Sequence, residues 1–234
     1  QQLLFETLLV RCALLDRTLA GLRALAVPPG VTWELLVVNN NCSDGTDAVL
    51  ASYRDALPLR RVHEPVPGLS RARNAGVQAA TGDLLLFTDD DVQVDPDWLA
   101  AYAEAARQWP DAGYFSGAIR ACFADDVPAR IRNQQAPLSG MLCVLDRGPR
   151  ARWLRRRQFP YGPNMALRRE VLGTHPFSEQ VGRTGHEQVR GSESSLFLEL
   201  RRRGVRGRWV PEARVEHWIA ADRANASYLR GYYH

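Results

Sequence analysis

Two runs of consecutive apolar residues, Leu35-Leu36-Val37-Val38 and Leu84-Leu85-Leu86-Phe87, each break off abruptly into polar side chains. A strand with one wet face alternates apolar and polar residues. Unbroken runs of this length instead read as strands buried on both faces, as in a parallel sheet covered by helices. The first, Glu34 to Val38, runs into Asn39-Asn40-Asn41-Cys42-Ser43-Asp44-Gly45-Thr46, a polar turn that closes in helix-capping residues. The second, Asp83 to Thr88, ends in Asp89-Asp90-Asp91. Asp95-Pro96 then reads as the N-cap and first-turn proline of a helix whose Trp98, Tyr102, Ala106 and Trp109 share one face. Polar and acidic residues therefore gather at the carboxyl ends of parallel strands, where open α/β sheets bind ligands.

The rest of the chain repeats this alternation without an internal repeat or a low-complexity linker. Leu14, Leu15, Leu19 and Leu22 predict an amphipathic helix over residues 13–25, whereas Gln1 to Val10 fits no single pattern. Gly113 to Ile119 and Met141 to Leu145 read as strands. Ser192 to Arg203 reads as a helix burying Leu196, Phe197 and Leu200. Arg208-Trp209-Val210 and Ala213 to Ile219 read as short strands around Pro211. With 234 residues, 45% of them hydrophobic, the chain can bury a sizeable core, and it is read as one α/β domain over residues 1–234.

All thirty basic residues are arginine, so lysine chemistry is closed off, both Schiff-base catalysis and a phosphate-loop lysine. A coding bias towards arginine is the plain explanation of that composition. The net charge of +4 is split unevenly: residues 1–120 hold 10 Arg against 15 acidic residues, and residues 121–234 hold 20 against 11. Any metal site is expected in the acidic half. The basic half either faces something anionic or is a solvated surface. Cys12, Cys42, Cys122 and Cys143 show no metal-ligand spacing and read as reduced thiols. No apolar run has the length of a membrane span and no signal peptide is visible. Because the chain opens on Gln1 and not on Met, a trimmed sequence is expected. A cytoplasmic protein is expected.

Three successive aspartates at the end of an apolar strand repel one another across a few ångströms. A divalent cation removes that repulsion, and hard carboxylate oxygens suit Mg²⁺ or Mn²⁺. The alternative is a solvated turn with one aspartate capping the next helix, a role for which Asp95 is better placed. An acidic strand end is shared by phosphohydrolases, nucleotidyltransferases and glycosyltransferases, so the rest of the chain has to discriminate.

Gly68-Leu69-Ser70-Arg71-Ala72-Arg73-Asn74-Ala75-Gly76, the aspartate triplet, Gly162-Pro163-Asn164-Met165-Ala166, Gly191-Ser192-Glu193 and Val215-Glu216-His217 follow in a fixed order. In that order they resemble glycosyltransferase family 2, the inverting enzymes of GT-A fold. The resemblance covers about residues 30–220 and is most specific from Gly68 to Trp98. It implies a GT-A fold: a Rossmann-like, mostly parallel central sheet flanked by helices, with an acceptor-side C-terminal portion. It also implies a nucleotide-diphosphosugar donor on residues 1–120, a divalent metal (Mn²⁺ or Mg²⁺), one carboxylate base, and an acceptor on residues 121–234.

Carried over position by position, Asn39 stands where the family has an aspartate on the nucleobase, and an amide can still pair with a uracil edge. Asp44 and Thr46 match a second turn position, with helix capping as the alternative. Arg73 and Asn74 match the nucleotide-pocket motif, with Arg71 beside them; arginine meets phosphate oxygens in pairs. Asp89 and Asp90 match the residues nearest ribose and diphosphate, and Asp91 the metal-binding aspartate. His217 matches a late histidine that completes the coordination, against a structural role in an alternating strand. Glu193 falls on the position of the catalytic aspartate, one methylene longer, at a helix N-terminus that favours its ionised form. Glu187, beside His186, is the competing base. The first-strand signature of the family has no equivalent in Gln1 to Arg11.

The expected reaction is metal-dependent inverting transfer from a nucleoside-diphosphate sugar, a UDP-sugar first, to the hydroxyl of a glycan, lipid-linked or small-molecule acceptor in bacterial glycan or glycolipid synthesis. The five arginines of Arg150 to Arg157, with Arg168 and Arg169, either meet an anionic acceptor or the inner membrane face, or form a solvated loop. Two alternatives compete. A metal-dependent nucleotidyltransferase or phosphohydrolase would use Asp89 and Asp91, but lacks its glycine-rich loop with lysine or its Asp-x-Asp-x-Thr pattern. A basic nucleic-acid-binding module lacks a recognised motif, so no nucleic acid is expected.

Overall fold

The computed structural model describes the chain apart from residues 1, 2, 8–11, 175, 180–182, 185, 186, 189–191, 226, 227, 229 and 231–234, with backbone alone for 3–7, 183, 184, 187, 188 and 192. Strand β1 (Leu3–Thr7) precedes α1 (Cys12–Arg23), β2 (Leu35–Asn39), α2 (Thr46–Tyr53), β3 (Leu59–His63) and α3 (Leu69–Ala79). Next come β4 (Leu84–Phe87), β5 (Val92–Val94), α4 (Trp98–Gln108) and β6 (Ala112–Phe123). After the short helices α5 (Ala129–Arg132) and α6 (Ser139–Leu142) follow β7 (Arg152–Trp153), β8 (Met165–Arg168), β9 (Arg183–Thr184) and β10 (Glu187–Gln188). Helix α7 (Ser192–Arg202) and β11 (Arg206–Ile219) complete the strands and α-helices.

The strands β1, β2 and β3 pair in parallel, with Leu35 facing Leu3 on one side and Leu59 on the other. Every residue of β2 and of β4 is buried, as their unbroken apolar runs require. Strand β1 lies beside β4, which begins the second sheet, ordered β4-β8-β6-β11-β5 with β7 on β11. The strand order therefore reverses between β1 and β4, and the carboxyl ends flanking such a point form a ligand crevice. Within the second sheet β6 and β11 are parallel, while β4–β8, β6–β8, β5–β11 and β7–β11 are antiparallel. The α/β architecture expected from the sequence is present, with its parallel pairing concentrated in the N-terminal sheet.

The core holds Trp98, Tyr102 and Ala106 of α4 against Trp209 and Val215 of β11, and Leu196, Phe197 and Leu200 of α7 are buried as their spacing predicts. Three local expectations need correction, and one open stretch is resolved. Met141 to Leu145 is not a strand: α6 ends at Cys143, whose φ of 54° turns the chain, and only Leu145 bridges to Ile119. The two strands around Pro211 are one, because a register shift between Val210 and Arg214 absorbs the proline. Helix α4 starts two residues late: Asp97 precedes it, and the Asp95 side chain accepts the Asp97 N–H at 3.3 Å. Within Gln1 to Val10, residues Leu3–Thr7 form the first strand.

Candidate active site

Asn164 is fully buried and precedes Met165, which pairs with Phe87 at the end of β4. Its Oδ1 accepts from Trp98 Nε1 (2.8 Å) and Tyr102 Oη (2.7 Å), and its Nδ2 donates to the carbonyls of Ala118 and Ala213 (both 2.8 Å). One amide thus ties α4, β6 and β11 together with all four of its bonds inside the core. A Cβ on Gly117 would collide with that amide and with the Ala213 carbonyl, so the close approach needs glycine there.

The connection from β4 to β5 carries Asp89, Asp90 and Asp91. Asp91 leads into β5, and its carbonyl accepts from Trp218 N at 2.8 Å, extending the β5–β11 pairing in which His217 faces Val92. From Ala213 to His217 the exposure alternates, which puts His217 on the buried face with Ala213 and Val215. Its Nε2 lies 3.3 Å from Asp91 Oδ1 and its Nδ1 lies 2.9 Å from the Leu142 carbonyl. A carbonyl can only accept, so Nδ1 carries a proton and Nε2 is directed at the carboxylate. Burial alone would lower the His217 pKa, but the Asp91 carboxylate outweighs it and raises the pKa above its ordinary value. Arg223 Nη1 holds the other oxygen, Oδ2, at 2.9 Å. Asp89 feels the cluster as a whole. Burial and the neighbouring Asp91 push its carboxyl up to about 6, against the pull of Arg73 and His217, and Glu193 pushes it further.

A second pair, Arg73 with Glu193, also acts electrostatically on Asp89. Arg73, on α3 and only 2% exposed, donates from Nη1 to Glu193 Oε1 at 2.6 Å, and its guanidinium lies 5.3 Å from the Phe177 ring centre. Glu193 stands in the first turn of α7. A Cβ on Gly162 would collide with Arg73 Nη2 and come within 3.0 Å of Glu193 Oε1. The glycine is the gap through which the arginine reaches the carboxylate.

Asp91 and His217, Arg73 and Glu193, and Asp89 are therefore brought together, with Asp90 alongside, its carbonyl accepting from Thr18 Oγ1 at 2.7 Å. Other expected ligand contacts have intramolecular partners. Asn74 exchanges both amide bonds with the Phe177 backbone (2.8 and 3.0 Å), anchoring that loop on α3. Asn39, 2% exposed, donates to Asp47 at 3.0 Å and accepts from Cys42 N at 2.8 Å, so it shapes the turn after β2. Arg71 pairs with Glu179 at 2.7 Å, and Asp44 bonds the Thr46 N–H and hydroxyl at the start of α2. The Glu187 side chain and His186 lie outside the described residues.

Two features escaped the sequence. Arg223, 132 positions from Asp91, sits in a turn whose sequence carries no functional signal. Much of the arginine surplus is structural: Arg168 donates to the carbonyls of Ala106 (2.6 Å) and Ala112 (2.8 Å), and Arg169 to that of Gly82 (2.6 Å). Arg208, 7% exposed, lies 3.3 Å from the Trp109 ring centre. Arg150, Arg155, Arg156 and Arg157 remain exposed.

Among the described residues no group of three or more His, Cys, Asp or Glu side chains is arranged to hold a metal ion. Asp91 with His217 is nevertheless a fitting two-donor set: a carboxylate beside an imidazole whose far nitrogen is anchored on a carbonyl, the arrangement that presents Nε2 to a divalent cation.

The sheet order and the acidic strand end at its reversal fit the expected GT-A fold, and comparison with known proteins agrees. The family model described as Glycosyl transferase family 2 matches residues 10–175, and the chain belongs to that family. It is 29% identical over 220 residues to the succinoglycan biosynthesis protein ExoM of Rhizobium meliloti, covering 92% of this chain and 66% of that protein. It is 23% identical over 199 residues to the glucosyl-dolichyl phosphate glucuronosyltransferase of Haloferax volcanii, covering 84% and 62%. The chain thus spans less than two thirds of either relative. Among solved structures it resembles S. aureus TarS 1–349 in complex with UDP-GlcNAc (TM-score 0.66, 16% identity, 94% of this chain and 58% of that one). It also resembles the mannosyltransferase PcManGT of Pyrobaculum calidifontis in complex with GDP-Man and Mn²⁺ (TM-score 0.64, 20% identity, 92% and 56%). At these identities the likeness is one of fold. No helix among the described residues is long and apolar enough to cross a membrane.

Proposed function

We propose that the chain is a metal-dependent, inverting glycosyltransferase domain that moves a sugar from a nucleoside-diphosphate sugar, a UDP-sugar first, to an acceptor hydroxyl. The observation that carries this reading is the pairing of Asp91 with His217 at 3.3 Å just before β5, together with the pairing of Arg73 with Glu193 at 2.6 Å, both acting on Asp89. Asp91 and His217 would hold Mn²⁺ or Mg²⁺, and the cation would offset charge on the departing nucleoside diphosphate. Glu193 takes the proton of the acceptor hydroxyl as its oxygen attacks the anomeric carbon opposite the nucleotide, which inverts the configuration. Asp89 and Asp90 orient the ribose and diphosphate side of the donor. Holding both substrates in line supplies much of the rate.

The solved complexes of TarS with UDP-GlcNAc and of PcManGT with GDP-Man and Mn²⁺ support a nucleotide-sugar donor and a divalent metal on this fold. We further propose one domain, with donor contacts on residues 1–120 and acceptor contacts on residues 121–234, working in the cytoplasm on bacterial glycan or glycolipid. The exposed arginines at 150 and 155–157 would make the peripheral contact with an anionic inner membrane face. The internal hydrogen bonds of Arg168 and Arg169 and the stacking of Arg208 on Trp109 leave less basic surface than composition suggests, and no nucleic-acid partner is proposed. A thermal-shift panel of nucleoside diphosphates and diphosphosugars, with and without Mn²⁺, tests the reading: a UDP-sugar should raise the melting temperature more with Mn²⁺ than without. No shift with any nucleotide would refute it.

A further inference from the structure

The resemblance implies that Arg73 touches the donor, but its surroundings give it another task. Four segments far apart in sequence converge on its guanidinium. Helix α3 buries the arginine to 2% exposure, and Asn74, the next residue, pins Phe177 by two backbone bonds so that the ring lies 5.3 Å from the guanidinium. Gly162 leaves out the one carbon that would block the path, and Glu193 receives Nη1 at 2.6 Å. A guanidinium stacked on a ring and enclosed by backbone can hold a carboxylate in one orientation; a mobile side chain could not.

We infer that Arg73 is a positioning residue for Glu193, holding the carboxylate ionised and aimed at the acceptor hydroxyl, and that Gly162 is part of the same device. The inference rests on Glu193 being the base. It departs from the donor-contact role in an observable way. A donor ligand governs nucleotide affinity, whereas a residue acting through the base governs turnover and its pH dependence. The proton transfer balances without a further reactant: the hydroxyl proton passes to Glu193, the new glycosidic bond forms as the bond to the diphosphate breaks, and the diphosphate leaves with the electron pair.

The test compares Arg73→Gln, Arg73→Lys and Gly162→Ala with the parent protein. Binding of UDP with Mn²⁺ is measured by calorimetry, and turnover as UDP released from UDP-glucose across pH. Expected for Arg73→Gln are a UDP affinity within about twofold of the parent, a turnover about 100-fold lower at pH 7, and an acidic limb at least about one pH unit higher. Arg73→Lys keeps the charge without the fork, so its limb should move less; it carries the test if Arg73→Gln fails to fold. Gly162→Ala should reproduce the Arg73→Gln signature by pushing the guanidinium aside. An infrared titration of Glu193, taken as the difference from Glu193→Gln, reads the same effect without turnover: the carboxylate should protonate at higher pH in Arg73→Gln. UDP affinity weakened tenfold or more with an unmoved pH limb or carboxylate titration would overturn the inference and return Arg73 to the donor. Glu193→Gln turning over at the parental rate would instead remove the base assignment itself, and the inference with it.

Discussion

His217 Nε2 faces Asp91 Oδ1 at 3.3 Å, with the other ring nitrogen anchored on the Leu142 carbonyl at 2.9 Å. The ladder between β11 and β5 creates this pairing, because Asp91, the residue before β5, is delivered beside the inward face of the last strand. Mn²⁺ should therefore raise the melting temperature of the parent protein. Asp91→Asn should abolish that shift, and His217→Ala should weaken Mn²⁺ binding by at least about 10-fold, because losing a ligand costs no less than losing its outer-shell support. Equal Mn²⁺ shifts in all three proteins would place the metal elsewhere.

Arg223 competes for the same carboxylate, bonding Asp91 Oδ2 at 2.9 Å. Arg223→Ala removes a charge-assisted bond of about 1.5–3 kcal/mol, so the metal-free protein should melt lower. The same variant should bind Mn²⁺ more tightly, since the cation no longer displaces an arginine. Calorimetric titration of parent and variant checks this; weaker Mn²⁺ binding in Arg223→Ala would show that the arginine assists the metal.

The acidic cluster also predicts a pH dependence. Asp89, pushed up to about 6, favours its protonated form in the fold, and His217, raised above its ordinary value, favours its imidazolium. For groups raised on folding, the stability is fully present below the unfolded pKa and is lost as pH rises through the folded pKa. For Asp89 that window runs from near 4 to about 6 and is worth at most about 3 kcal/mol. The metal-free parent should lose stability relative to Asp89→Asn over this range in urea melts, and Mn²⁺ should stabilise the parent more at pH 7.5 than at pH 5. Parallel pH curves for parent and variant would contradict the clustering of charge around Asp89.

Asn164 serves four buried partners, so Asn164→Leu would leave two donors and two acceptors unsatisfied. At about 1–3 kcal/mol for each, the loss reaches or exceeds about 4 kcal/mol and threatens the whole stability margin. Urea denaturation should show that loss, or no folded protein at all. A change below about 1 kcal/mol would mean the network is dispensable.

What could be read in advance were features written locally. Continuous apolar runs mark β2 and β4, alternation turns His217 inward, and first-turn acidity puts Glu193 at the head of α7. Long-range partners were not legible. The amides of Asn39 and Asn74 suit a ligand and a neighbouring loop equally, and only the position of Cys42 or Phe177 decides between them. Arg168 and Arg169 look like part of a basic surface until the fold brings the carbonyls of Ala106 and Gly82 to them. Met141 to Leu145 has strand-like composition, but the chain turns at Cys143 and packs Met141 and Leu142 beneath Ile219. Pro211 suggested a break between strands because a lost N–H usually ends pairing, yet the register shift beside it lets β11 continue.

The central claim is that Glu193 is the base of a transfer reaction whose metal is held by Asp91 and His217. Glu193→Gln, measured with Mn²⁺ and UDP-sugars, tests it most directly. The variant should bind UDP and Mn²⁺ with parental affinity while sugar transfer falls by about 100-fold or more, the scale of a lost general base. Transfer at the parental rate with binding intact would contradict the account.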